Sequence, residues 1–496
     1  MKQRPADPWP RGTGHVILAP PGSREEWKSY LEPGGSFSPT VGSFGVSIWT
    51  LNVGGAIEAT SDSLPLSEIR QRLVWASRHG IPDIETQTRY YQARWARGTV
   101  GTLAGNATLD LKSPLFADRR TAVVIRSVGP AGGAIRSLRW VGGQLVVNGR
   151  WRVRTTPPPS AVRMGEEGTA HWTLPRLDAS PPTDWTGTSG WGYAVFDLAP
   201  AFSWRMDIED SHPMPQTGLR YETTRSALQV DVPEPRFAES LDAQVAHLMM
   251  GLVGRETRPG EPTNYPLAWL RDGAYTVVAL AHAGQLDLAR QLSTYFAERD
   301  FFGGFGPEAD APGLALWAVE EVSVRARDHE FDEWLWPHVF RKAEFILEML
   351  ETQEPIRRPV RGPVVPKHWN DPELTLVCEP ARDGMILGRM DWQRSLLFVN
   401  AVSYRGLLSA AALAERQGHR RDAQRWRERA AELQRAWLRA LRPPESENER
   451  TYISGLWPTW VAVANRDQFR QGLEARWGQA AHHRWRVSRD AAVDLL

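Results

Sequence analysis

Three short stretches carry side chains that could do chemistry together. The densest is Tyr265-Pro-Leu-Ala-Trp-Leu-Arg-Asp-Gly-Ala-Tyr. Its spacing predicts a helix opening at Pro266, with Asp272 in the first turns, where the helix dipole favours a carboxylate, and Trp269 three residues earlier on the same face. An indole beside a carboxylate and the Arg271 guanidinium can hold a polyol; the plainer alternative is an Arg–Asp pair that only caps a helix. The second stretch, Gly303 to Trp317, sets Glu308 and Asp310 just ahead of another helix start, where acids also serve as caps. The third, Cys378 to Gln393, places Glu379, Asp383 and Asp391 in a loop before a helix opening at Phe398. General acid–base chemistry needs paired carboxylates, one to give a proton and one to take it, so a single acid here would mean little.

Composition narrows the classes. The chain has 496 residues, with Lys+Arg 59 against Asp+Glu 58 and a formal charge of +1, so no global field draws it to nucleic acid or an anionic membrane. Only five of the basic residues are lysine, a bias spread evenly along the chain that marks no binding surface. Cys378 is the single cysteine, which excludes an intrachain disulfide and any cysteine-built zinc site and suits a reducing compartment. No cofactor or metal is expected, because neither His nor Cys spacing offers a site; the adjacent His482-His483 would diverge on a regular element. The opening residues lack an apolar signal core, and no run comes near the ~18 apolar residues of a spanning helix. A cytoplasmic protein is expected. Tryptophan is abundant, 23 residues, and such rings serve cores and stacking sites alike.

The chain changes character near residue 232. Before it, short β-branched and aromatic runs alternate with glycine and proline, as in 44–51, 121–128 and 143–153, and Asn148-Gly149 marks a tight hairpin. Many closely spaced strands imply a β-sandwich over 1–232, with 155–160 and 180–184 as proline-rich loops and Val232-Pro-Glu-Pro-Arg as the way out. From 237 to 496 the apolar period becomes helical. Helices are predicted over 237–253, 266–283, 286–299, 313–328, 331–352, 398–417 and 421–441, with 461–476 as a last one, about eight in all. Pro312 and Pro337 stand near two of the starts. Gly284 and Gly418 each end one helix before the next begins, and "LAERQGHRRDAQRW" echoes "LAHAGQLDLARQL": a helical hairpin used repeatedly. Periodicity alone leaves an open solenoid and a closed ring equally available.

Three words, "WLRDGAY" at 269–275, "GPEADAPGLALWA" at 306–318 and "FVNAVSYRGL" at 398–407, resemble the catalytic region of the glucoamylases, glycoside hydrolase family fifteen, and their six-hairpin relatives. The similarity covers roughly 237 to 470. It implies a β-sandwich joined to an (α/α)6 barrel, an α/α toroid, which fits the switch at 232. It further implies inverting hydrolysis of α-linked glucosides, with water as second substrate and an oligosaccharide or other glycoside as the partner. On this resemblance Arg271 and Asp272 would bind hydroxyls of the terminal sugar, Glu308 and Asp310 would help form that subsite, and Trp269, Trp317 and Trp392 would wall it. Asp391, the carboxylate nearest the Phe398 helix, would be the general acid, with Glu379 as second choice. Inversion needs about 6.5–9.5 Å between acid and base to seat the water, and an acid with its pKa raised by burial.

Two departures qualify the resemblance. The family shows paired glutamates where this chain has Asp391. A closed ring of six hairpins takes twelve helices, and 237–496 holds about eight, so the chain is expected to lack the late hairpins that carry the general base, as a truncated or frame-altered relative. The alternative function is then a catalytically inactive relative that binds sugar or regulates. A helical scaffold for a protein partner is a third reading, against which the acid- and tryptophan-bearing loops argue. Oligomeric state is left open.

Overall fold

Apolar residues buried on both faces mark the middle of the first sheet. Gly45–Asn52 and Arg119–Arg126 are buried over most of their length and pair antiparallel, Ile48 opposite Val123, while Val124 lies opposite Val195 on Gly192–Asp197. Trp151–Thr156, in the second sheet, instead alternates buried and exposed, with one face to the core and one to solvent. The computed structural model describes residues 15–76, 80–98, 106–113, 119–168, 183–198, 201–212, 217–260, 265, 267–300, 306–359, 372–391, 394, 396–441, 454–467, 470–471 and 474. The chain divides into two compact units, Met1–Gly254 and Arg255–Leu496.

In the first unit the described residues form an eight-stranded and a nine-stranded sheet. One apolar core draws on both: Val46, Ile48, Val123 and Phe196 from the first, Trp95, Leu109, Val153 and Ile208 from the second. The Asn148-Gly149 turn joins Gln144–Val147 to Trp151–Thr156 with both residues in the left-handed region, φ 51° and 68°, as the dipeptide predicts. Helix α1, Pro235–Gly251, begins inside the stretch read as a linker. Glu234 caps it by accepting from the Arg236 N–H, and its Ala246 and Met250 enter the core of the sheets. The buried Lys28 ammonium donates to the Met250 and Leu252 carbonyls at 2.7 and 2.8 Å, closing the helix end.

The second unit is helical: α2 Leu270–His282, α3 Leu286–Glu298, α4 Ala311–Ala326, α5 His329–Glu351, α6 Leu396–Arg416 and α7 Arg420–Ala440. They run as consecutive hairpins. The α2–α3 and α6–α7 turns are the same device: Gly284 and Gly418 both sit at φ 81°, with Gln285 N–H on the Leu280 carbonyl and His419 N–H on that of Ala414. α4 packs against α2, α3, α5 and α6. Pro337, expected near a helix start, lies within α5, because Asp328 caps that helix by accepting from Phe331 N–H and moves its start to His329. The stretch expected as a last helix begins with a 3₁₀ turn at Val463–Asn465 and in part lies outside the described residues, as does His482-His483. α6 is long and apolar enough by composition to cross a bilayer, although its apolar residues form no unbroken run; 72% of that window is buried among its neighbours. A small sheet of Ile356–Arg357, Leu376–Arg382 and Met385–Gly388 lies against α5 and α6.

α4 and α6 approach closely through two glycines. A Cβ on Gly313 would lie 2.4 Å from the Val402 carbonyl oxygen, and one on Gly406 would lie 2.6 Å from Gly313 Cα. Gly313→Ala is therefore expected to destabilise the protein by about 2–3 kcal/mol despite the better helix propensity of alanine. Gly251→Ala, where a Cβ meets nothing, is the neutral comparison. Urea unfolding of both variants checks this; equal midpoints would show that the two helices part without strain.

Candidate active site

α2 opens at Leu270, so Arg271 and Asp272 fall in its first turn, with Trp269 as the N-cap residue. Gly306, at φ 116°, turns the chain toward α4, and Asp310 reaches the N-cap of that helix without making a side-chain capping bond. Its carboxylate instead accepts from Arg271 Nη1 at 3.0 Å. Glu308 Oε2 accepts from Arg271 Nη2 at 2.9 Å, and Asp391 Oδ1 lies 3.4 Å from the same nitrogen. Glu308 Oε1 also accepts the Asp391 backbone N–H at 3.1 Å. Asp391 follows the small sheet with a left-handed backbone, φ 51°. The three stretches thus meet at one guanidinium, which lies beside the Phe398 ring of α6.

Burial sets the electrostatics. Glu308 is pushed up to about 8, first by burial and then by the charges of Asp310 and Asp391, against the pull of Arg271 and Arg389. Asp310 is raised for the same leading reason. Burial works against the Arg271 charge, but Asp310, Glu308, Asp391 and Asp272 more than offset it and hold the guanidinium above its usual range. The cluster therefore keeps a fixed cation, and Glu308 holds its proton to a higher pH than a free glutamate does. Such a set can offer donors and acceptors to adjacent hydroxyls, with a proton already at hand.

Of the residues singled out from the sequence, Arg271, Glu308, Asp310 and Asp391 come together, and Asp272, exposed on the first turn of α2, acts on them through its charge. Asp391 is the most open of the three carboxylates on Arg271, its side chain 29% exposed. Trp269 is half-buried and meets Tyr265 edge-on. Trp317 is only 2% exposed, donates Nε1–H to Glu321 and meets Tyr275 edge-on, so its ring backs the site and has no free face to wall it. Glu379 pairs at 3.3 Å with Arg394, which also holds Glu373. Trp392 lies outside the described residues. Sequence reading missed three residues. Tyr275, one turn beyond Arg271, is buried enough to have its hydroxyl pKa raised and feels Arg271, Asp310 and Asp272. Trp457, 44% exposed, packs on both Tyr275 and Trp317 with ring centroids 5.4 and 5.6 Å away. Arg389 is the third. The Leu-Arg-Asp-Gly-Ala-Tyr spacing could have given Tyr275; the others have no local signal. Among the described residues no group of three or more His, Cys, Asp or Glu side chains is arranged to hold a metal ion.

No protein-family model matches the chain, and no curated protein matches it. Among solved structures it is similar to a bacterial glucoamylase complexed with acarbose, at 12% identity and TM-score 0.47 over 86% of this chain and 68% of that one. A rhamnosidase from Klebsiella oxytoca with rhamnose bound gives 14% identity and TM-score 0.37 over 82% and 79%. A family GH92 inverting mannosidase from Bacteroides thetaiotaomicron gives 11% and 0.37 over 85% of this chain and 62% of that one. These solved structures are glycoside hydrolases, each at low identity and with a TM-score below 0.5.

Proposed function

We propose that this chain is a glycoside hydrolase of glucoamylase-like type, an N-terminal β-sandwich followed by an α/α toroid, that hydrolyses α-linked glucosides with inversion. One observation carries the reading: three stretches far apart in sequence bring Glu308, Asp310 and Asp391 to the single guanidinium of Arg271. In this reading Arg271, with Glu308 and Asp310 fixed on it, forms the floor that binds hydroxyls of the terminal sugar, and Asp272 borders it. Trp457, the exposed ring beside Tyr275, offers an apolar face to the sugar. Asp391 protonates the glycosidic oxygen as the bond breaks, and water attacks the anomeric carbon from the opposite face, its proton passing to a general base.

A second reading, a relative that binds sugar without cleaving it, is favoured by one fact: Glu308, Asp310 and Glu379 are each held by an arginine, so none of them stands ready as that base. Asp391→Asn separates the two. Against a panel of α-glucosides, trehalose and uronate disaccharides, the parent is expected to release a sugar whose first-formed anomer is inverted. The variant should lose about 10²–10⁴-fold in turnover while binding the sugar within about threefold of the parent. Binding without turnover by the parent selects the second reading; neither binding nor turnover removes both.

A further inference from the structure

Arg389 is 3% exposed, and among the described residues its guanidinium bonds are to backbone carbonyls: Nε to Leu376 at 2.9 Å, Nη1 to Asp391 at 2.8 Å and Nη2 to Pro307 at 2.5 Å. Its own backbone is used in both directions, N–H to the Val377 carbonyl at 2.8 Å and C=O from Ala309 N–H at 2.9 Å. Pro307 and Ala309 flank Glu308, and the Asp391 carbonyl belongs to the carboxylate on the other side of Arg271. One side chain therefore ties together the two loops that bring acids to the site. Two further features fit this role. A Cβ at Gly306 would lie 3.0 Å from Arg389 Nη2 and 2.3 Å from the Leu374 carbonyl oxygen, so only glycine lets the chain pass beside the guanidinium. Asp391 holds a left-handed backbone, which a residue with a Cβ adopts at a cost of about 1 kcal/mol, and the Arg389 bond to its carbonyl helps fix it there.

A buried guanidinium is an expensive fastener, and burial does push the Arg389 pKa down, against Glu308, Asp310, Asp391 and Glu373, whose charges favour its cation. Neutral donors could satisfy the same carbonyls. What a cation adds is its field on the acids, where it opposes the rise in Glu308.

We propose that Arg389 is the positioning residue of this site: by bonding the Pro307, Leu376 and Asp391 carbonyls it sets the two acid-bearing loops in the register at which Glu308 receives the Asp391 N–H and both face Arg271. The inference rests on the sugar-binding reading only for its effect on ligand; the fastening itself is testable without one. Facing Glu308 are Arg271 from α2, Asp310 at the head of α4, and Arg389 and Asp391 after the small sheet, so each variant is compared with the parent across pH.

Arg389→Met and Arg389→Lys in the full chain supply the test. In the methionine variant the Glu308 carboxyl, followed by carbon-13 NMR and assigned with Glu308→Gln, should titrate at least half a unit higher than in the parent. In the lysine variant, which keeps a charge but cannot span three carbonyls, the midpoint should stay within half a unit. In both, hydrogen exchange at the Asp391 amide should quicken at least tenfold relative to amides in α5, and maltose should bind at least tenfold more weakly. Parent-like exchange at Asp391 in the lysine variant overturns the proposal, because charge without the fork would then suffice; so does a methionine variant that shifts neither exchange nor the Glu308 midpoint. If the methionine variant fails to fold, exchange in the lysine variant decides alone. A parent that binds no maltose counts against the sugar reading, while the exchange result still judges Arg389.

Discussion

Glu308→Gln is expected to give a protein whose unfolding free energy has lost a downward slope between pH 5 and pH 8, so that it gains on its parent as pH rises. Glu308 is 3% exposed, and its folded pKa stands at about 8 against an ordinary 4.5. A group raised in this way is protonated in the folded protein while the unfolded chain has already released its proton, so the folded state binds more protons across the window. Stability then falls as pH rises. The contribution is complete below about 4.5 and gone once pH passes through 8; a shift of this size corresponds to the order of 3–5 kcal/mol. Glutamine keeps the shape and an acceptor for the Asp391 N–H but cannot titrate. Other groups shifted in the fold, such as His247 and Lys342, contribute equally to both proteins, so the difference between parent and variant isolates Glu308. Urea unfolding at half-unit steps from pH 5 to 8 measures it. Parallel curves would mean that Glu308 is ionised in the folded protein, and the account of the cluster would be wrong.

Arg271→Met should be the most damaging single substitution in the helical unit. It removes the partner of Glu308, Asp310 and Asp391 together, and the first two are almost wholly enclosed. Breaking a buried pair by deleting one partner typically destabilises by about 3–5 kcal/mol, because the remaining charge is stranded away from water. The same reasoning gives a pH signature that a packing substitution lacks. As pH is lowered from 7.5 to 4.5 the stranded Asp310 carboxylate, already raised by burial, takes up a proton, so the deficit should shrink, whereas the loss from Gly313→Ala should hardly change. Sugar binding should vanish at every pH, since the floor has lost its donor. A deficit that stays constant across pH would show that Arg271 serves mainly by packing against Phe398. Retained binding would place the sugar elsewhere.

Much of this arrangement is legible in the sequence. The seven long helices among the described residues fall within a few residues of where period and stop signals put them, and the Gly284 and Gly418 echoes turn out to be the same helix-ending turn. The grouping of Arg271, Glu308, Asp310 and Asp391 in one site is implied by the resemblance of the three words, not by their spacing. What the sequence leaves open is mostly which way a side chain faces in three dimensions. Trp317 lies on a helix enclosed on nearly every side, so a ring that could have lined a groove was packed inside instead. The helix expected over 331–352 begins two positions earlier, at His329, because Asp328 caps it. Glu379, second choice for the acid, lies on strand Leu376–Arg382 and pairs with Arg394. Arg389 bonds to main-chain carbonyls, which every residue possesses, so no sequence pattern announces it. Trp457 comes from a segment nearly two hundred residues beyond the ring it packs on.

The tie between Lys28 and the end of α1 has a practical consequence for dissecting the chain. A fragment ending at 232, where composition changes, would forfeit Ala246 and Met250 from its interior and deprive an enclosed ammonium of the Met250 and Leu252 carbonyls. Such a fragment should be recovered insoluble. One ending at Gly254 keeps these contacts together with the Gly254 N–H bond to Gly22, and is the boundary at which expression of the N-terminal half belongs.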